Sequence, residues 1–161
     1  MKFKLRPYQE EASKKAVEFF LDKKKNWNAL EVLPTASGKS LILADIAARL
    51  KDKVLVFSPT KEILEQNYKK YCSYGFDNAS IYSASFKSKE ISDVTFATIG
   101  SVKGHPELFT DFKYILIDEV HLVKPESGMY KEFLDKLKSK VIGLTATPFR
   151  LYSYQNYGSI L

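Results

Sequence analysis

The stretch Leu33-Pro34-Thr35-Ala36-Ser37-Gly38-Lys39-Ser40 decides how this chain is read. Before it, Asn28 to Leu33 has the apolar character of a short strand stopped by Pro34, and after it Lys39 to Leu50 (KSLILADIAARL) is an apolar run at helical spacing. A loop between a strand and a helix turns successive backbone N–H groups toward an anion, and the helix amino terminus adds the positive end of its dipole. Lys39 is then placed to reach the β- and γ-phosphates of a nucleotide, and the Ser40 hydroxyl to ligate Mg²⁺. The stretch departs from the pattern GxxxxGK(S/T) at its first position, where Leu33 stands for glycine. Context rather than pattern therefore carries the reading as a phosphate-binding loop.

Outward from that loop, strands and helices alternate. Pro7 to about Lys25 reads as a first helix, with Ala12, Ala16, Val17, Phe19 and Phe20 at helical spacing. Val54 to Phe57 is a wholly apolar run, the mark of a strand buried on both faces, and Ile63 to Tyr71 reads as the next helix. Further strands are expected near Ser80 to Tyr82, Val94 to Ala97, Tyr114 to Ile117 and Val141 to Leu144, with a helix around Tyr130 to Leu137. Such alternation implies a three-layer α/β fold, a parallel sheet with helices on both faces, whose ligands bind at the carboxyl ends of the strands. Asp118-Glu119-Val120-His121 falls at one of those ends. Two adjacent carboxylates there can divide phosphoryl transfer, Asp118 holding Mg²⁺ through water and Glu119 orienting the attacking water. His121 reads equally as a hydrogen-bonding relay or a turn histidine.

Composition sets the bounds. The 161 residues, 45% of them apolar, are enough for one domain with one substantial core. The net charge of +6 comes from lysines spread along the chain, with three arginines, Arg6, Arg49 and Arg150. That excess permits a nucleic-acid partner without requiring one. The single cysteine, Cys72, excludes an internal disulfide framework and suits a reducing compartment, and the polar start MKFKLRPYQE does not read as a signal peptide. A cytosolic protein is expected.

With these residues in hand, the chain resembles the first RecA-like domain of a superfamily 2 DExH-box helicase, a P-loop NTPase domain. It is most similar to the branch of restriction-enzyme translocating subunits, Rad25-type repair helicases and phage recombination helicases. The resemblance runs in family order: Leu5-Arg6-Pro7-Tyr8-Gln9 is similar to the adenine-recognition motif and PTASGKS to motif I. Ser58-Pro59-Thr60-Lys61 with Gln66 matches motif Ia, and Ala97-Thr98-Ile99-Gly100-Ser101 motif Ib. DEVH matches motif II and Leu144-Thr145-Ala146-Thr147-Pro148 motif III.

The resemblance implies an ATP-dependent DNA, or RNA, helicase or translocase using ATP and Mg²⁺. Lys39, Asp118 and Glu119 would be catalytic, with Ser40 and Asp118 at the metal. Arg6, Gln9, Thr35, Ala36, Ser37, Gly38, Lys39 and Ser40 would hold the nucleotide, the Gln9 amide pairing with the adenine edge. Thr60, Lys61, Thr98 and Ser101 would contact a nucleic-acid backbone without reading sequence. His121, Thr145 and Thr147 would couple the two sites. The family carries glycine where Ala36 stands, so a positive φ there would cost about 1 kcal/mol. The family's finger arginines come from a second RecA-like domain, and no spare arginine is evident here. Residues 1–150 are therefore expected to form the ATP-binding half and 151–161 the start of a connector to a second domain. Two other classes stay open on the sequence: a nucleotide- or nucleic-acid-binding module that never hydrolyses ATP, and a small P-loop kinase, which would need a lid with several arginines.

Overall fold

The computed structural model describes residues 4–34, 38–120 and 128–146. Thr35, Ala36, Ser37, His121, Thr147, Arg150 and the expected connector lie outside the described residues. Among the described residues five α-helices, α1 (Pro7–Leu21), α2 (Lys39–Leu50), α3 (Lys61–Cys72), α4 (Ile99–Val102) and α5 (Met129–Asp135), accompany seven strands. These are β1 (Ala29–Val32), β2 (Val54–Phe57), β3 (Ala79–Ser83), β4 (Ser88–Lys89), β5 (Val94–Ala97), β6 (Tyr114–Asp118) and β7 (Lys140–Thr145), and they form one sheet in the order β1-β7-β6-β2-β5-β3-β4. Every pairing is parallel except β3 with β4, a short antiparallel edge hairpin. No helix among the described residues is long and apolar enough to cross a membrane.

The period-two alternation of the central strands builds two cores. Val54, Val56, Val94, Phe96, Leu116, Ile142 and Leu144 face the layer of α1, α2 and α3, with Phe20, Ile42, Ile46, Leu64 and Tyr71. Leu55, Phe57, Ala97, Ile115, Ile117 and Val141 face the other layer, where Phe109, Phe112 and Phe133 pack. Phe57 and Phe109 both meet Phe133 edge to face, with centroids 5.6 and 5.9 Å apart. All four residues of β2 are buried, as its unbroken apolar run requires of a central parallel strand.

Several boundaries differ from the sequence expectation for local reasons. α1 ends at Leu21 because Lys23-Lys24-Lys25 offers no apolar side chain to the core, and the Asp22 N–H closes the helix on Glu18 O at 3.0 Å. α3 begins two residues early, capped by Thr60, whose Oγ1 accepts from the Ile63 N–H at 3.2 Å. β6 extends to Asp118, so that carboxylate stands on the strand rather than after it. α5 stops at Asp135, although Leu137 is still buried. The short elements β4 and α4 were too brief to carry a periodic signal.

Candidate active site

The strand register brings the described strand-end residues of the predicted site to one edge. Val32 pairs with Thr145, Leu144 with Asp118, and Phe57 with both Ile117 and Ala97, so the carboxyl ends of β1, β7, β6, β2 and β5 lie side by side. The loop after β1 starts with Leu33, whose N–H continues the ladder to Thr145 O at 2.9 Å and whose side chain is buried in the core. Leucine is tolerated in place of the first glycine because this position is core, not loop.

Gly38 stands at the head of α2 with φ 78° and ψ 47°, the left-handed region open to glycine. The adjoining space is closed too: a Cβ there would lie 2.6 Å from Gln9 Nε2. Gln9 is buried rather than exposed, its Oε1 accepting the Arg6 N–H at 2.9 Å. The first turn of α1 is thereby held against the head of α2, and Arg6 remains exposed beside it.

Below Gly38, the Lys39 ammonium pairs with Glu119 Oε1 and lies 3.5 Å from Asp118 Oδ1. Glu119 has φ 53°, a backbone conformation costly for a residue with a side chain. Its N–H donates to Asp118 Oδ1 at 2.9 Å. The turn carries Val120 back over the sheet into the space above Gly143, where a Cβ would come within 2.6 Å of Val120 Cγ2. Glycine on β7 therefore permits the turn that presents Glu119. On the other face Tyr130, edge-on to Phe57 at 5.3 Å, has its phenol pushed up by burial and by the Asp118 carboxylate.

Ser40 reaches Asp118 only through a residue that the motif reading passed over. Asn67 of α3, 1% exposed, accepts from Ser40 Oγ at 2.8 Å and donates to Ser58 Oγ at 3.2 Å and to Asp118 Oδ2 at 3.0 Å. A sequence signal existed, because Asn67 shares the buried stripe of α3 with Leu64 and Tyr71, and a buried amide demands partners. A cavity of about 570 Å³ opens over these groups, lined by Gly38, Lys39, Ser40, Gln66, Lys70, Asp118 and Glu119. Gln66 and Lys70 were given no place at this site by the sequence. The donors toward the cavity are oxygens, which fit a hard cation such as Mg²⁺. Among the described residues no three His, Cys, Asp or Glu converge on a metal-sized centre, so such an ion would complete its shell with phosphate and water oxygens.

The residues expected at a nucleic-acid backbone gather on the other half of the edge. Thr98 Oγ1 lies 3.0 Å from both Ser83 Oγ and Ser101 Oγ, and Ser101 Oγ accepts the Ala84 N–H at 2.9 Å. Lys61 sits 5.4 Å above the Phe86 ring, and Thr60 caps α3. Thr145 is fully buried at the end of β7.

The sequence model of the family described as "Type III restriction enzyme, res subunit" (ResIII) matches residues 2–150. The chain belongs to that family. Over 152 residues it is 31% identical to the DNA 3'-5' translocase XPB2 of Sulfurisphaera tokodaii, covering 92% of this chain and 32% of that protein. The UvsW helicase of bacteriophage T4 superposes with a TM-score of 0.76 at 23% identity, over 98% of this chain and 58% of that one. The SWI2/SNF2 ATPase core of Sulfolobus solfataricus, solved in complex with dsDNA, does so with 0.75 at 21% identity, over 99% and 36%. This ResIII chain is thus a superfamily 2 first RecA-like domain spanning about a third of the length of the translocase it matches.

Proposed function

We propose that the chain is the ATP-binding half of an ATP-dependent DNA helicase or translocase working in the cytosol, with residues 1–150 as that half and 151–161 leading toward a second RecA-like domain. The observation that carries the proposal is the convergence of Lys39, Asp118 and Glu119 under the left-handed Gly38 turn at the head of α2, with Gln9 packed on that turn. Thr35 to Lys39 would cradle the phosphates, Ser40 and Asp118 would hold Mg²⁺, and Arg6 with Gln9 would meet adenine. Bound Mg²⁺ would supply charge to the phosphate oxygens. A phosphate competes with Glu119 for the Lys39 ammonium, which leaves the Glu119 carboxylate to accept a hydrogen bond from the attacking water.

Thr60, Lys61, Thr98 and Ser101 would meet the backbone of one strand, and Thr145 with His121 and Thr147 would couple that surface to hydrolysis. DNA is favoured over RNA by the activity of the translocase relative and by the dsDNA complex of the structural neighbour. Arg49 is engaged with Asp45 at 2.5 Å and with Glu10 at 3.7 Å, and no described arginine lines the cavity. An arginine finger is worth about 10³- to 10⁵-fold in rate. The 161-residue chain is therefore expected to bind ATP with little DNA-stimulated turnover. Calorimetric titration with ATP and Mg²⁺, beside turnover assays with and without single-stranded DNA, tests this. Absence of nucleotide binding overturns the reading, and robust DNA-stimulated turnover overturns the half-enzyme part of it.

A further inference from the structure

Asn67 lies outside the motif residues, yet it is the group through which three of them meet. Its amide orientation follows from chemistry: the Asp118 carboxylate only accepts, so the Nδ2 hydrogens must face Asp118 Oδ2 at 3.0 Å and Ser58 Oγ at 3.2 Å. Oδ1 then faces Ser40 Oγ at 2.8 Å, and the Ser40 hydroxyl must spend its one hydrogen there. Two consequences follow for the cavity. The Ser40 oxygen is left with lone pairs and no hydrogen to present to a cation. Asp118 has Oδ2 tied back into the protein, while Oδ1 stays on the side of Lys39, 3.5 Å away. Asn67 and Asp118 are 1% and 4% exposed, so water does not replace these bonds at little cost.

We infer that Asn67 is a positioning residue for the divalent cation that accompanies the nucleotide: it turns Ser40 and Asp118 into acceptors facing the cavity and, through Ser58, ties them to the segment entering α3. The inference rests on the nucleotide-binding reading above. A side chain at this remove from a metal typically alters metal affinity about 10- to 100-fold when removed. A packing role would instead weaken nucleotide binding equally with and without the ion.

The test is calorimetric titration of ATP into the 161-residue chain, with Mg²⁺ and with EDTA, for wild type, Asn67→Leu and Asn67→Asp. Wild type is expected to gain affinity from Mg²⁺. Both variants are expected to lose about tenfold or more of that gain while their affinity in EDTA stays within about twofold of wild type. Asn67→Asp keeps the shape and the acceptor toward Ser40 but sets an anion against Asp118, and it decides the matter where Asn67→Leu is too unstable to titrate. A full Mg²⁺ gain in either folded variant, or equal losses in Mg²⁺ and EDTA, overturns the inference. A wild type that binds ATP equally in both also overturns it and leaves the nucleotide reading standing, whereas no ATP binding at all removes both.

Discussion

The two halves of the sheet's carboxyl edge are built from opposite chemistry. Over β1 and β6 the side chains are charged and largely withdrawn from water, with Lys39 18% and Asp118 5% exposed as side chains, and Glu119 held on a left-handed backbone. Over β2, β5 and β3, apart from the Lys61 ammonium above the Phe86 ring, they are neutral hydroxyls that satisfy one another, Ser83 with Thr98 and Thr98 with Ser101. A buried ion pair recovers its desolvation cost only with good partners, and under the proposed function the nucleotide phosphates would exchange into the charged half as such partners. In the hydroxyl chain only Thr98 and Ser101 reach toward solvent, where under the proposed function they would offer hydrogen bonds to a phosphate backbone, and Ser83 is buried behind them.

The contrast can be broken most directly by Lys39→Ala. Removing the ammonium that pairs with Glu119 and lies 3.5 Å from Asp118 is expected to lower nucleotide affinity about 100-fold, the scale of two charge-assisted hydrogen bonds. Ser101→Ala should leave that affinity within about twofold. Titration calorimetry on the two proteins compares the halves in one measurement, and equal effects would erase the distinction. Gly143→Ala strikes the support of the charged half. The added Cβ meets Val120, so stability is expected to fall by about 1–3 kcal/mol in chemical denaturation, together with nucleotide affinity through the displaced Glu119 turn. Unchanged affinity would show that the turn does not depend on this packing.

A third region sharpens the comparison because it holds a half-buried carboxyl with one oxygen that has no hydrogen-bond partner. Glu31 lies on β1, at the edge of the sheet, in a groove of about 400 Å³ against α1, and its Oε1 is buried without a hydrogen bond. Burial raises its carboxyl from 4.5 to about 7, against the opposing effect of Lys15. The folded state therefore holds this proton more tightly than the unfolded chain. The contribution to stability is full below about pH 4.5 and is lost as pH rises through about 7. Glu31→Gln is expected to stabilise the fold by about 1–2 kcal/mol at pH 8, after allowance for solvent screening, and by almost nothing at pH 4. Thermal melts at the two pH values check it, and an equal gain at both would refute the burial argument. The smallest effects belong to the hydroxyl half: Thr60→Ala should cost about 1 kcal/mol through the lost cap of α3. Denaturation coupled to ATP titration should show that loss with no change in nucleotide affinity.

Much of this was legible from local pattern. The run Val54 to Phe57 could be buried on both faces only as a central strand, and Lys39 to Leu50 is the helix its periodicity implied. Gly38-Lys39-Ser40 and Asp118-Glu119 announced themselves because each follows an apolar strand, and parallel strands present their carboxyl ends together. Asn67 was hidden for the converse reason. Its meaning lies in Ser40, 27 positions away, and Asp118, 51 positions away, and neither separation leaves a trace in a periodicity.

Short-range information, namely alternation, helical spacing and the residue types that follow a strand, was enough to determine the three-layer sheet, the strand and helix that flank Gly38-Lys39-Ser40, and the carboxylate pair. Tertiary structure alone decided that Gln9 closes on Gly38, that Gly143 makes room for Val120 beneath the Glu119 turn, and that one buried amide joins the serine in the first turn of α2 to the aspartate of β6. Those contacts are set by the register of parallel strands and by the docking of α1 and α3 on them. They cross long stretches of chain, so no local rule contains them, yet the close packing of the interior leaves each of them little freedom to differ.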